Sequence, residues 1–291
     1  MSVPMDKIIE PLPDTTLAET GFYWRERDGI KVLVCRPLED AGFANGFSTR
    51  LGGVSNLTGL SDNELNLSGF DDDSTENIHE NRRRFLAAFG GDYQLATAWQ
   101  VHGDGVKIVT VDNAGESEQR FDALTSNLKN VLLGVKTADC VPILIGDPVT
   151  DAYAAVHAGW RGTVQSIVVK AIETMRNTFG TDPKNMLAAV GPAAGCENYE
   201  IGEDVIEAFE QNFENSEKYF KETRNGHALI DLHRANKDQL VSAGVRTENI
   251  YTAPFCTMER PDLFFSYRLE KSRYGKTGRL MSVIGRKKVK E

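Results

Sequence analysis

The stretch YAAVHAGWRGTVQSIVVKAIETMRNTFG, residues 153–180, places a strand, a glycine-punctuated turn and a helix in one uninterrupted run. Tyr153 to Val156 is a short apolar run of the strand type. Beyond the turn, Val164, Ile167, Val168, Ala171, Ile172, Met175 and Phe179 recur at helical spacing and share one face. Thr163 stands where a cap would start this helix, and Gly180 where a left-handed residue would stop it. A helix with a single apolar face needs a surface to cover, and the strand before it belongs to such a surface.

The flanking sequence repeats both signals. Lys31 to Cys35, Val106 to Val111, Val131 to Val135, Ile143 to Ile145, Leu187 to Val190 and Ile250 to Ala253 are further short runs bounded by Gly, Pro or Asp. Glu76 to Phe89, Glu203 to Phe213 and Leu232 to Ala243 have helical periodicity. Strands and helices alternate irregularly, which predicts an α/β protein built as a single-domain layered sandwich with mixed β-sheets and not a regularly wound parallel sheet. No repeat, low-complexity tract or linker marks a boundary. Residues 1–25 read as an N-terminal extension and residues 26–291 as the domain.

Composition excludes several classes. At 41% hydrophobic and 26% charged residues, the chain has the balance of a packed globular protein. A net charge of −9 leaves no basic face for general nucleic-acid binding, and the basic tail from Arg286 to Lys290 reads as a solvated end. The N-terminus lacks the apolar core of a signal peptide, and apolar runs such as Val131 to Val135 are far too short to cross a bilayer. Cys35, Cys140, Cys196 and Cys256 are scattered without a CxxC pair, which favours free thiols and a reducing, cytoplasmic setting.

Three segments carry the candidate chemistry: Gln100-Val101-His102-Gly103, Ala138-Asp139-Cys140-Val141-Pro142 and Ala155-Val156-His157-Ala158-Gly159-Trp160-Arg161-Gly162. Each lies at the end of an expected strand, where a rigid scaffold presents reactive groups, and Gly103, Gly159 and Gly162 allow tight turns beside them. His102, Cys140 and His157 would give zinc two nitrogens and a thiolate, with a fourth position free for water or substrate. Their separations are no metal signature in themselves. Taken singly, each could be a core or turn residue. A second reading makes Cys140 a nucleophile activated by His157, with Asp139 or Gln100 as orienter or oxyanion donor. Arg161, at the head of the long helix, and Arg50, in the Gly-rich Ser48 to Ser55 loop, suit an anionic ligand, with ordinary salt bridges as the alternative. His79, His227 and His233 are assigned no chemistry.

With these segments the chain resembles the bacterial laccase-domain, or polyphenol oxidase, family, whose members are mostly described as purine nucleoside phosphorylases with adenosine deaminase activity. The resemblance runs from the Ser48 to Ser55 loop through Glu64-Leu65-Asn66-Leu67, Asn81-Arg82-Arg83, the three segments above, Asn198-Tyr199-Glu200-Ile201-Gly202, Phe255-Cys256-Thr257 and Phe264-Phe265-Ser266-Tyr267-Arg268 to Thr277-Gly278-Arg279. It implies zinc on His102, Cys140 and His157, and a substrate pocket near Arg50, Asn66 and Arg268, with Gln100 and Arg161 as further contacts and Cys140, His157 and Asp139 as catalytic residues. It also implies a layered fold similar to that of certain cysteine-dependent toxin deamidases. The expected partners are a nucleoside and phosphate, with the chain a monomer or homodimer. Two departures stand out: Cys196 lies one position ahead of the family's paired cysteines, and Leu269 replaces its second arginine after FFSYR. Five histidines are too few for a four-copper laccase, although one copper in the zinc position would give weak oxidase activity. A cysteine-type hydrolase acting on an amide, such as a peptidoglycan precursor, is the remaining alternative.

Overall fold

A computed structural model describes residues 14–59, 61–90 and 92–287. Among them the first segment contains α1 (Asp14–Glu19), β1 (Phe22–Arg27), β2 (Ile30–Cys35), α2 (Arg36–Asp40), β3 (Phe43–Ser48), β4 (Leu51–Ser55) and α3 (Thr75–Ala87). Then β5 (Gln94–Trp99), β6 (Val106–Ile108), β7 (Glu116–Arg120), β8 (Ala123–Ser126), β9 (Val131–Thr137), β10 (Val141–Gly146) and β11 (Tyr153–Ala158) follow with no helix between them. Next come α4 (Trp160–Val164), α5 (Ile167–Phe179), β12 (Leu187–Val190), β13 (Glu200–Gly202) and α6 (Glu203–Asn212). The chain closes with β14 (Phe220–Arg224), β15 (His227–Ile230), α7 (Leu232–Ser242), β16 (Ile250–Thr252), α8 (Tyr267–Tyr274) and β17 (Leu280–Arg286).

The strands form a seven-stranded sheet in the order β1-β2-β3-β17-β9-β5-β7, a six-stranded sheet in the order β16-β12-β10-β11-β8-β6, and a small sheet β13-β15-β14. Both large sheets are mixed, since β5 runs parallel to β9 and β12 parallel to β16, whereas β17 is antiparallel to both β3 and β9. Leu33, Phe43, Phe47, Leu133 and Ile284 of the larger sheet share one buried cluster with Leu124, Leu144, Tyr153 and Ala189 of the smaller. Each large side chain buried there contributes about 1.5–3 kcal/mol. The outer face of the six-stranded sheet packs on Ile167, Val168, Ile172 and Met175 of α5 and on Leu232 and Leu240 of α7. The opposite outer face is covered by Phe85 and Ala88, in and just after α3. The result is the expected layered α/β sandwich, helix on sheet on sheet on helix.

The chain alternates between the large sheets from β5 to β10, and three of these connections run from the seven-stranded sheet into the six-stranded one: β5 to β6, β7 to β8, and β9 to β10. His102 lies in the first, Asp122 in the second and Cys140 in the third, while His157 sits in β11 beside them. These crossings assemble the site.

Local details differ from expectation. Thr163 does not cap the long helix: its hydroxyl donates to the Gly159 carbonyl inside α4 and accepts from Asn236, and left-handed Ser166 breaks α4 from α5. Gly180 does stop α5, in the left-handed conformation. The boundary at residue 25 falls inside β1, the edge of the seven-stranded sheet, and Leu17 ahead of it is buried. Residues 1–13 and 288–291, and with them most of the basic tail, lie outside the described residues.

The Ser48 to Ser55 segment is not an anion cradle. Gly53 is required because a Cβ there would fall 2.0 Å from the Glu64 carbonyl oxygen. The Arg50 guanidinium is buried between Glu64 and Glu270, donating also to Thr58 and to the Pro261 carbonyl. Burial makes this pairing obligatory, since either carboxylate without the arginine would be an uncompensated buried charge. Arg50→Met should therefore lower the unfolding free energy by about 3–5 kcal/mol, read by denaturant titration; a loss under about 1 kcal/mol contradicts the pairing's role.

Candidate metal centre and adjoining cavity

The ligand atoms of His102, Cys140 and His157 all lie within 4.8 Å of one another, with His157 buried, Cys140 half-buried and His102 exposed. The two imidazoles meet edge to face, their centroids 4.9 Å apart. The close approach depends on Gly159, where a Cβ would fall 3.0 Å from Cys140 Sγ and 3.1 Å from His102 Cδ2. Gly159, Gly162 and Gly103 do not supply unusual turns. The left-handed positions are taken by His102 (φ 59°) and Asp139 (φ 84°) themselves, conformations that non-glycine residues hold only when their surroundings impose them.

What imposes the first is Asp122, a residue that sequence reading passes over. Its carboxylate is fully buried and accepts hydrogen bonds from the backbone N–H groups of Val101 (3.1 Å), His102 (2.9 Å) and Gly103 (2.8 Å). Its Oδ1 also meets Nδ1 of His157 at 2.8 Å. Burial alone would raise its pKa, but the hydrogen bonds from His157 and the backbone amides hold it below the usual carboxylate range. Asp139 plays the corresponding part on the far side of Cys140. Its carboxylate accepts from Thr257 Oγ1 (2.7 Å), Ser266 Oγ (3.0 Å) and the Arg268 N–H (2.7 Å), and burial pushes its pKa up. Through these bonds Asp139 ties the loop around Cys140 to Thr257, Ser266 and Arg268.

Burial of the Cys140 thiol opposes ionisation, yet the charge of His157 and hydrogen bonds from both imidazoles outweigh it and bring the pKa down to about 6. Reciprocally, burial of His157 is outweighed by Cys140 and Asp122, which raise its pKa to about 9. At neutral pH the pair is a thiolate beside an imidazolium, so the soft anionic ligand is already formed. The donor set suits a metal. Two nitrogens and a thiolate match zinc's preference, and because Asp122 occupies His157 Nδ1, Nε2 is the nitrogen that would meet a metal on giving up its proton.

Beside the cluster opens a polar cavity of about 390 Å³, lined among others by Trp160, Arg161, Tyr199, Glu200, His227 and Arg268. Trp160 follows Gly159 directly, and the Arg268 main chain is bonded to Asp139, which joins the cavity to the cluster. The small sheet supplies its far wall through Glu200, Gly202, Arg224 and His227. The Arg161 guanidinium lies over the Trp160 ring at 4.1 Å and that of Arg268 over the Tyr199 ring at 4.9 Å. Arg268 donates to the Glu200 carbonyl (2.7 Å), and Arg224, not Arg268, takes the Glu200 carboxylate. Burial and the negative charge of Cys140 hold the Tyr199 hydroxyl at about 12, so it stays protonated.

Of the sequence-proposed contacts, Arg161 and Arg268 line this cavity, while Arg50, Asn66 and Gln100 do not. Asn66 is buried, donating to Asp73 and accepting from the Arg279 N–H, because it ties the Glu64 segment to the chain before β17. The Gln100 amide pairs with both the N–H and the carbonyl of Lys136, continuing the pairing of β5 along β9 just past the end of β5. Tyr199 and Glu200 belong to the NYEIG motif and were available from it. Asp122 carries no local signal.

A family model described as multi-copper polyphenol oxidoreductase laccase matches residues 44–287. Over 258 residues the chain is 34% identical to purine nucleoside phosphorylase YfiH of Escherichia coli, covering 87% of this chain and 98% of that protein. It is 31% identical over 250 residues to purine nucleoside phosphorylase YlmD of Bacillus subtilis, covering 83% and 88%. The crystal structure of YlmD from Geobacillus stearothermophilus superimposes with a TM-score of 0.81 at 29% identity, covering 90% of this chain and 98% of that one.

In metal-free protein, iodoacetamide should modify Cys140 at a rate that rises with pH and is half-maximal near pH 6, because only the thiolate reacts. Cys35, buried and held at about 12, should stay unmodified throughout. Peptide mass spectrometry reads both, and a half-point for Cys140 at about pH 8 or above, near the ordinary thiol value, would contradict the thiolate–imidazolium pair.

Proposed function

The chain belongs to the multi-copper polyphenol oxidoreductase laccase family, and from that premise we propose that it is a metal-assisted purine nucleoside phosphorylase. The observation that carries this reading is the His102/Cys140/His157 cluster beside a cavity in which Arg161 and Arg268 have no carboxylate partner among the described residues. The phosphorylase names of relatives at 31% and 34% identity support it. Zinc on these three residues would supply Lewis-acid polarisation and water activation, with copper as the substitute ion.

The chain's own residues supply recognition. Two guanidinium groups without a carboxylate partner among the described residues suit monohydrogen phosphate, and each lies over an aromatic ring. The Trp160 and Tyr199 rings border the space for the nucleoside. In phosphorolysis a phosphate oxygen bonds to C1′ as the C1′–N9 bond breaks; ribose 1-phosphate forms, and the proton carried by phosphate ends on the purine. Adenosine, inosine and methylthioadenosine are the proposed substrates, and hydrolysis of adenosine to inosine and ammonia the second reaction at this centre. Four free cysteines, with no described helix long and apolar enough to cross a membrane, are in keeping with a cytoplasmic enzyme.

One observation favours a second reading. The Cys140 thiolate, His157 and Asp122 form a nucleophile, base and orienter sequence, which would serve a cysteine-type hydrolase. Metal dependence separates the two. Adenosine with inorganic phosphate should yield adenine and ribose 1-phosphate, followed by phosphorus NMR, and turnover should vanish on chelation and return with zinc. Arg161→Ala should raise the KM for phosphate about tenfold or more, the loss of one charged hydrogen-bond donor. No conversion across the three nucleosides rejects the phosphorylase assignment, and turnover surviving complete chelation hands the chemistry to Cys140.

A further inference from the structure

The two histidines of the cluster come from different sheets. His102 follows β5 of the seven-stranded sheet and His157 lies in β11 of the six-stranded one, yet a single carboxylate touches both. Asp122 Oδ1 takes the His102 N–H and His157 Nδ1, while Oδ2 takes the N–H groups of Val101 and Gly103. Three consecutive amides converging on one anion form a concave nest, and that nest holds His102 in its left-handed conformation. The Asp122 main chain grips His157 as well, its carbonyl accepting the His157 N–H at 2.8 Å. The side chain is fully buried, so water cannot take over any of these bonds.

We propose that Asp122 is the positioning residue of the metal centre: it presets the His102 loop and keeps the proton of His157 on Nδ1, so that Nε2 faces Cys140. The inference rests on the metal reading given above and deepens it. An aspartate is required on geometric grounds. Asparagine has the same shape, but its amide nitrogen donates. With its oxygen toward His157, the nitrogen would confront the N–H groups of Val101 and Gly103. Flipped, it would donate to His157 Nδ1 and drive the ring proton onto Nε2, where it blocks coordination.

The test measures zinc binding by competition with a chromophoric chelator, together with long-range proton–nitrogen NMR of the histidine rings at saturating zinc. The wild-type protein should bind one zinc with His157 protonated on Nδ1 and metallated on Nε2. Asp122→Asn should bind zinc about 10- to 100-fold more weakly and lose that ring pattern. Cys140→Ala serves as the control that removes a ligand outright. Wild-type zinc on Nδ1 of His157 overturns the proposal even where the variant fails to fold. A folded Asp122→Asn protein with wild-type affinity and ring pattern overturns it while leaving the metal reading intact. Absence of stoichiometric zinc in the wild-type protein removes both.

Discussion

The site depends on a topological constraint. Two sheets share one inner core, and the chain must pass between them at its edge, so the connections from β5, β7 and β9 into the six-stranded sheet all run through one region. A crossing loop cannot satisfy its backbone polar groups in a ladder, and the first crossing satisfies those of residues 101–103 with the buried carboxylate of Asp122, while Asp139 of the third ties that crossing to the Arg268 N–H at the start of α8. The same bonds that make the crossings affordable hold a histidine and a cysteine in place. Stability and function therefore share their interactions at this point, which is why backbone strain at His102 and Asp139 persists beside the ligands.

Elements with a strong local period were legible. The α5 face, Lys31 to Cys35, Leu187 to Val190 and the end of α5 at Gly180 all follow from spacing and cap chemistry visible within a few residues. Two strands of the seven-stranded sheet, β5 and β17, were not. Gln94–Trp99 turns Ala96 and Ala98 into the crowded space between the sheets, where small residues fit and hydrophobic pattern is weak. Leu280–Arg286 is buried along nearly its whole length between β3 and β9, so it shows no alternation and passes for an arbitrary apolar tail.

The candidate site divides in the same way. His102, Cys140 and His157 could be named because each sits in a distinctive segment, although their convergence followed only from the resemblance. Arg50 shows how local texture misleads: an arginine among glycines suggests an anion-binding loop, but the anions are Glu64 and Glu270, the second far along the chain. Asp122 is the converse case. Nothing in Arg120-Phe121-Asp122-Ala123 marks it, since its four partners come from the β5–β6 crossing and from β11. A residue whose role is to join distant segments carries no signature in its own.

The multi-copper wording of the family is at odds with the donors in this chain. His79 packs edge-on against Phe70, His233 meets the Gly191 carbonyl and His227 the Asn225 carbonyl, which leaves His102 and His157 as the two imidazoles that share a centre. Two nitrogens and one thiolate would hold one ion. That set is acceptable both to zinc, which is content with tetrahedral nitrogen and sulfur, and to copper, which binds nitrogen and sulfur more tightly and uses the same His₂Cys combination in electron-transfer sites. The oxidase wording and the nucleoside names of the relatives can thus be read as two consequences of one donor set, differing in which ion fills it. The cavity bears on the proposed reading: Arg161 and Arg268, without a carboxylate partner among the described residues, would be of no use to the oxidation of a phenol but would suit a phosphate-consuming reaction.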